Sequence, residues 1–234
     1  RNTVRTLTPP LGGGFGSKFS ALEWDVICAE FARETKRPVR MMLSRRLEHL
    51  VGGNRPDSIQ KLRLAGSKDG TFAALEGETW GTSGNGTGGA GAANFMVYEL
   101  PNLSMVQNGV ATFSGHGRAF RAPRHPQGFY ALESIIDRYA YAAGVDALAV
   151  RKQNDKNPVR QVQWKIGAER IGWAKNRRQV PGSDKGPLKR GVGCASGRWA
   201  QAGRHTVGRG ALVFDVLVDK DGGVAFQNGV QDIG

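Results

Sequence analysis

Cysteine is almost absent from this chain of 234 residues: only Cys28 and Cys194 occur, on unrelated segments with no metal-ligand spacing around either. A disulfide framework is therefore not expected, and a reduced compartment is compatible. No apolar run reaches the roughly 18 residues that a membrane-spanning helix requires. Acidic residues are scarce, 20 against 33 Lys and Arg, which leaves a formal net charge of +13. Such an excess suits a nucleic acid, an anionic membrane surface or an acidic partner protein. No secretory leader is read at Arg1-Asn2-Thr3, which opens into a β-type run, and Val230–Gly234 forms no solvating tail. Both ends read as cuts through structured polypeptide, so the chain is expected to be a piece of a longer protein or one of several that assemble.

Glycine, by contrast, is abundant at 34 residues, which predicts many turns and close backbone approaches. Its densest cluster is Leu11-Gly12-Gly13-Gly14-Phe15-Gly16-Ser17-Lys18. It follows the β-type run Thr3–Thr8 and precedes an amphipathic segment, so it reads as strand, glycine turn, helix. Glycine tolerates positive φ and, having no Cβ, lets a ligand approach the backbone. Unpaired N–H groups at the next helix start attract anionic or electron-rich groups. The known phosphate motifs fit poorly. A P-loop needs Gly-Lys-Ser/Thr after four intervening residues. The dinucleotide fingerprint started at Gly12 would need Gly where Ser17 stands. Read alone, the loop is either a ligand cradle or a turn packing helix on sheet.

Apolar residues at Leu22, Val26, Ile27, Ala29 and Phe31 predict a helix over 21–36, ended by Pro38. Val39–Leu43 reads as a short buried strand, and Arg45, Arg46, Glu48 and His49 as solvated groups. Gly52–Pro56 is a turn. Strands are predicted over Ser58–Ala65 and Phe72–Trp80, joined at Asp69-Gly70, a hairpin signal. Gly81–Ala93 is a small-residue loop, either flexible surface or a loop packed close to a ligand. Tyr98–Asn102 is a turn and Met105–Phe113 a strand.

Gly115–Gly128 then brings basic and polar groups, Arg121 among them, to another strand-to-helix corner. A guanidinium there offers a planar fork of donors to a phosphate or carbonyl, or is a surface charge. The helix is predicted over Phe129–Ala143, with Leu132, Ile135, Ile136, Tyr139 and Ala143 on one stripe, and a short helix follows over Ala147–Gln153. Residues 151–190 are dense in Lys and Arg, punctuated by Trp164 and Trp173. Aromatics among basic residues occur in nucleic-acid binders. The pattern here reads better as an irregular helical region pinned by its tryptophans, with the charges in solvent. Arg177–Gly186 reads as a loop. Gly191–Ser196, Gly210–Asp219 and Gly223–Asn228 read as strands, the last two closed by Lys220-Asp221-Gly222. Hairpins mixed with crossover helices predict an α+β fold with mixed sheets.

The glycine loop and the Ala119–Gln127 run, in this order and about a hundred residues apart, resemble the molybdenum-binding subunit of the xanthine dehydrogenase/aldehyde oxidoreductase family, the molybdenum hydroxylases. The family pattern is Gly-Gly-Gly-Phe-Gly-x-Lys, then Ala-Phe-Arg-x-x-x-x-Pro-Gln heading a helix. Arg37–Arg40, Gly53–Pro56, Tyr98–Asn102, Arg190–Gly193 and the Val-Asp-x-Asp-Gly hairpin are similar too, and Val230-Gln231-Asp232-Ile233-Gly234 resembles the first half of a further cofactor loop. The resemblance covers essentially the whole chain.

It implies a first molybdopterin-binding domain over 1–157 and the start of a second over 158–234, as part of a larger subunit. It implies a molybdenum–molybdopterin cofactor, in bacteria often the cytosine dinucleotide form, with Gly13, Gly14, Phe15, Gly16, Phe120, Arg121, Gln231, Asp232, Ile233 and Gly234 binding it. The molybdenum would be held through the pterin, with no protein metal ligand. The implied reaction hydroxylates an aldehyde or aromatic N-heterocycle with water as oxygen source. Electrons would leave through an iron–sulfur subunit and a flavin (FAD) subunit. The family's general base, a Glu in Gly-x-Gly-Glu, lies outside this chain, so no catalytic residue is assigned. Phe19 stands where xanthine-type enzymes carry Glu, which argues for an apolar aldehyde or aromatic substrate. A cytoplasmic location is expected, with the periplasm open through a partner's signal. The competing readings are a basic nucleic-acid-binding protein and a non-catalytic scaffold fragment of the same fold.

Overall fold

A computed structural model describes residues 12–16, 21–82, 84, 97–178, 180, 182–198 and 214–228. The chain divides into two compact units, one from Arg1–Leu43, Ala119–Arg121 and Trp199–Gly234, the other from Ser44–Arg118 and Ala122–Arg198.

The first unit contains helix α1 (Glu23–Thr35) and a hairpin of β4 (Phe214–Val218) and β5 (Val224–Asn228). The Asp25 carboxylate accepts from the Leu22 N–H at 2.8 Å and so starts α1. The helix ends at Lys36 in the left-handed region (φ 55°), ahead of Pro38. β4 and β5 are antiparallel, from Phe214↔Asn228 to Val218↔Val224, with Gly222 supplying the positive φ of the turn.

The second unit carries a sheet in the order β1-β2-β3. β1 (Ser58–Gly66) and β2 (Phe72–Thr82) form the hairpin expected from Asp69-Gly70, where Gly70 has φ 96°. β3 (Asn102–Val110) adds in parallel to β2, from Ala74↔Asn102 to Thr82↔Val110. Helix α3 (His125–Ala143) packs on β1. Phe72, Leu75, Tyr98, Phe129, Leu132, Ile136 and Val150 close the core between them. The stripe on α3 therefore falls on its buried face, as the period-3.6 pattern requires. Helix α4 (Ala147–Asn154) begins at Asp146, whose carboxylate accepts from the Ala149 N–H at 2.8 Å. Helices α5 (Pro158–Ile171) and α6 (Trp173–Asn176) follow, with Asn157 capping α5 and Gly172 (φ 63°) separating the two. Trp164 and Trp173 are buried with Leu148 in a second cluster. Their indole N–H groups donate to Asp155 at 3.3 Å and to Asp146 at 3.0 Å.

Five expectations change. Val39–Leu43 and Gly191–Ser196 have β-type composition but form no strand, because neither meets a partner among the described residues. Met42 in the first of these is 78% exposed. Arg45–Val51 is a helix, α2, capped by the Ser44 hydroxyl, which accepts from Leu47 N–H at 3.3 Å. α3 starts four residues before Phe129, because Pro126 is tolerated in a first turn, where no N–H is needed. Finally, the basic run is not all in solvent.

Arg151 is fully buried. Its guanidinium donates to Glu133 and Asp137 at 2.7 Å each and to the carbonyls of Ala147 and Glu133. Tyr98 donates to the second oxygen of Glu133 at 2.7 Å. Burial is the largest influence and works against the Arg151 charge, but the surrounding acidic groups, Glu133 first among them and Asp137 with it, together more than offset it and hold the guanidinium charged. Burial, reinforced by Glu133, keeps the Tyr98 hydroxyl protonated. Arg160 grips buried Asp155 with two nitrogens, each at 2.6 Å. Burial alone would raise the Asp155 pKa, but hydrogen bonds from Arg160 and the Asn157 N–H pull it below the usual carboxylate range. Burial pushes the Cys194 thiol up to about 11, so it is a neutral packing group at physiological pH.

Two outcomes follow in equilibrium unfolding by urea. Arg151→Ala strands the buried Glu133 carboxylate and is expected to cost ~3–5 kcal/mol. Arg63→Ala removes only an exposed pair with Glu76 and should cost under ~1 kcal/mol. Because the folded-state pKa of Asp155 is depressed, its contribution is present above the ordinary carboxylate pKa and is lost as pH falls through the folded value. Asp155→Asn should therefore lower the thermal midpoint at neutral pH and flatten its decline in acid.

Candidate functional site

Within the first unit, the structure brings together two of the segments singled out by sequence. Gly12–Gly16 forms a tight turn with Gly13 at φ 114°, Phe15 at φ 50° and Gly16 at φ 102°. Positive φ is ordinary for glycine and strained for a bulky residue such as Phe15. One restraint on it is a long-range backbone hydrogen bond: Arg121 N–H donates to the Phe15 carbonyl at 2.6 Å. Gly16 lies against the same segment. A Cβ on it would stand 2.7 Å from the Ala119 carbonyl oxygen and 2.9 Å from its carbon. Gly16 is thus required both for its φ and for the close approach. Gly13 sits under the Phe15 ring, where a Cβ would meet Cε2 at 2.7 Å.

Gly14 is buried at the centre of the turn, while Phe15 and Phe120 are both half-exposed. The exposed Arg121 places its guanidinium carbon 6.0 Å from the Phe15 ring centroid, a cation–π arrangement. Two aromatic faces and one planar donor fork around a glycine-lined backbone can hold a flat, polar, electron-rich group. The structure thus brings the Gly13–Gly16 turn and the Phe120–Arg121 segment together. Phe19, Gln231, Asp232, Ile233 and Gly234 lie outside the described residues.

The second unit contains another close backbone crossing. Gly84 (φ 69°) accepts from the Thr112 N–H at 2.7 Å, and a Cβ on it would lie 2.3 Å from the Gly115 carbonyl oxygen. It is the described point of the Gly81–Ala93 loop beyond the end of β2. The composition signalled such an approach without naming the partner segment, residues 112–115, which follows β3. Concavities elsewhere in this unit, of about 620 Å³ beside Gln60 and Tyr130 and about 370 Å³ beside Trp164 and Cys194, contain none of the candidate residues. Among the described residues, no group of three or more His, Cys, Asp or Glu converges as a metal site, and no helix is long and apolar enough to cross a membrane.

Gly16→Ala is expected to push the turn off the Ala119–Arg121 segment, raising amide exchange at Arg121 in hydrogen–deuterium measurements. Gly12→Ala is the control. Among the described residues none comes within 4 Å of its Cβ position, and it should leave exchange unchanged.

The sequence matches the family described as molybdopterin cofactor-binding domain over residues 1–155. The aldehyde oxidoreductase molybdenum-binding subunit PaoC of Escherichia coli (strain K12) is 32% identical over 220 residues, 83% of this chain and 28% of that protein. The aldehyde oxidoreductase of Megalodesulfovibrio gigas is 32% identical over 165 residues, 65% of this chain and 18% of that one. The reconstituted CO dehydrogenase from Oligotropha carboxidovorans shares the fold, with a TM-score of 0.61 at 22% identity over 72% of this chain and 24% of its own. The chain thus spans less than a third of the curated relatives it matches. With the profile covering most of its length and the α+β architecture agreeing, the chain belongs to the molybdopterin cofactor-binding domain family.

Proposed function

We propose that this chain supplies cofactor-binding loops to a molybdenum hydroxylase that oxidises an aldehyde or aromatic N-heterocycle with water as oxygen source. The observation that carries the reading is the strained Gly13–Gly16 turn, locked through the Phe15 carbonyl to the Arg121 N–H. The cradle fits a flat pterin. Gly13 and Gly16 leave the backbone bare, Phe15 and Phe120 offer apolar faces, and the Arg121 fork can donate to ring nitrogens and carbonyls. When bound, the molybdenum–pterin group supplies the redox chemistry, taking two electrons from substrate as water provides the oxygen.

The residues of this chain bind and orient. Backbone N–H groups of Phe15 and Gly16 would face the metal's ligand sphere as fixed dipoles, which cost no reorganisation during reaction. Gln231–Gly234 would complete the pterin contacts, and Phe19 would present an apolar wall to substrate. No residue here is assigned as general base. We place the start of a second cofactor-binding domain after residue 157. The cofactor would be the molybdopterin or its cytosine dinucleotide form. Partners would be the rest of the molybdenum subunit, an iron–sulfur subunit and a flavin subunit carrying FAD. The two free cysteines, Cys28 and Cys194, are compatible with the cytoplasm.

The test is metal and pterin content after gentle purification from source with whatever accompanies the chain. About one molybdenum per complex is expected. Arg121→Met should lower pterin and molybdenum content together while leaving the unfolding midpoint near that of the parent. Full metal content in Arg121→Met would remove Arg121 from the site, and a parent complex without molybdenum would overturn the reading.

A further inference from the structure

We infer that the outer edge of β1, with the groove between β1 and α3, is a docking site for an extended acidic segment of a partner protein, which adds to the sheet as a further strand. All the residues involved belong to the second unit.

β1 is an edge strand, since the sheet order is β1-β2-β3. Its inner side is committed to β2, where the Thr82 N–H donates to the Asp57 carbonyl at 3.1 Å. Antiparallel ladders alternate. The register from Ser58↔Gly81 to Ala65↔Ala74 therefore turns the backbone groups of Ile59, Lys61 and Arg63 toward β2, and those of Ser58, Gln60, Leu62 and Leu64 away from it. Among the described residues no hydrogen bond is made to that outward row of backbone groups. An unpaired row of this kind is a template for another strand.

The space such a strand would take is already shaped. A groove of about 620 Å³ has Gln60 and Leu62 on one wall and Ala131, Ser134, Ile135 and Arg138 on the other. The helix runs alongside the strand: Gln127 near its head donates to the Pro56 carbonyl at 2.9 Å, and Tyr139 near its end donates to the Ser67 carbonyl. From Gln127 to Arg138 the helix advances roughly 16 Å, which matches a strand of about five residues. Gln60 Oε1 is buried in this wall with no hydrogen-bond partner. It is an acceptor that a donor on the occupant would meet.

Charge selects the occupant. Burial alternates along β1, so Ile59, Lys61 and Arg63 stand on the exposed face, beside the outward side chains of an added strand. Lys61 lies over the Trp80 ring and Arg63 pairs with Glu76 in the open, and an exposed pair of this kind is weak and exchangeable. Arg138, exposed in the groove, makes no ion pair with a described carboxylate. A second copy pairing through the same edge would set Lys61 and Arg63 against their own counterparts, and like charges opposite one another destabilise a sheet. A foreign strand with acidic residues at alternate positions meets them with the opposite sign instead, while apolar side chains between them pack on Ala131 and Ile135. The chain's net charge of +13 draws such a partner in at long range.

The probe is a synthetic peptide, acetyl-Glu-Val-Glu-Val-Glu-Val-Glu-amide, added to the full chain. The readouts are its dissociation constant, by fluorescence anisotropy of a labelled form, and hydrogen–deuterium exchange of the segment 58–65. One control peptide has Lys in place of Glu. A second keeps Glu but is N-methylated at every peptide bond, which removes its backbone donors. The acidic peptide is expected to slow exchange in 58–65 by about fivefold or more, and neither control to do so. Arg138→Glu should weaken its binding about tenfold. Arg46→Glu, the same change of net charge on α2 outside the groove, should not. No slowing with the acidic peptide, equal slowing with either control, or equal weakening by Arg46→Glu overturns the proposal. So does a dimer of the chain alone, in sedimentation velocity, whose formation protects 58–65, because the edge is then taken by a second copy. Should Arg138→Glu not fold, Arg138→Ala is read in the same assay, with a smaller loss expected and an unchanged dissociation constant overturning the assignment of Arg138 to the site.

Discussion

The second unit is organised around one buried cation. Arg151 has no solvent contact, and moving a guanidinium out of water costs several kcal/mol unless its donors are met. They are met by Glu133, Asp137 and two carbonyls, with Tyr98 satisfying the remaining Glu133 oxygen. These partners belong to α3, to the first residue of α4 and, through Tyr98, to the connection between β2 and β3. Misplacing any of them would leave a charge or a hydroxyl unpaired in low dielectric, which is more costly than losing apolar contact. The network thus does what a purely apolar core does poorly, and fixes one rotation of α3 about its axis. That rotation puts Phe129, Leu132 and Ile136 inward and Gln127 beside the Pro56 carbonyl.

The glycine turn obeys a different constraint, backbone proximity. The N–H of Arg121 and the carbonyl of Phe15 meet only because Gly16 has no Cβ to strike the Ala119 carbonyl. Side chains come second here. Phe15 and Phe120 point away half-exposed because the backbone beneath them is occupied with itself. Such a surface presents aromatic faces and oriented dipoles, the features on which the proposed pterin contact rests.

What was legible in the sequence tracks the range of the interaction. Asp69-Gly70 and Asp221-Gly222 announce their hairpins because turn chemistry is local. The α3 stripe is legible because Leu132 and Ile136 repeat at helical spacing. The meeting of Phe15 with Arg121 joins residues about a hundred positions apart, and only two motifs taken together pointed to it. The parallel pairing of β2 with β3 left no mark, since neither strand's composition differs from that of an antiparallel one. Arg151 looked like one more member of a basic run, because nothing local distinguishes a guanidinium that will be buried from its exposed neighbours Lys152 and Lys156. Val39–Leu43 and Gly191–Ser196 show the converse error. β-propensity describes a side chain that suits a pleated surface, and without a partner strand there is no surface to suit.

The energetics of the site explain why its support must be distributed. The single Phe15–Arg121 hydrogen bond contributes about 0.5–1.5 kcal/mol net, while a non-glycine residue at positive φ costs about 1–3 kcal/mol. That bond cannot by itself keep Phe15 at φ 50°. The balance has to come from the turn's other contacts, such as the packing of Gly16 against Ala119, and, on the proposed reading, from the cofactor. A ligand that binds only the ordered turn stabilises it by mass action, in proportion to the logarithm of its concentration over its dissociation constant. The strain in the turn is then the coupling between occupancy and order. A loop relaxed without its ligand would gain little from binding it, whereas a loop held part-way by Gly16 and Arg121 converts binding into a fixed geometry.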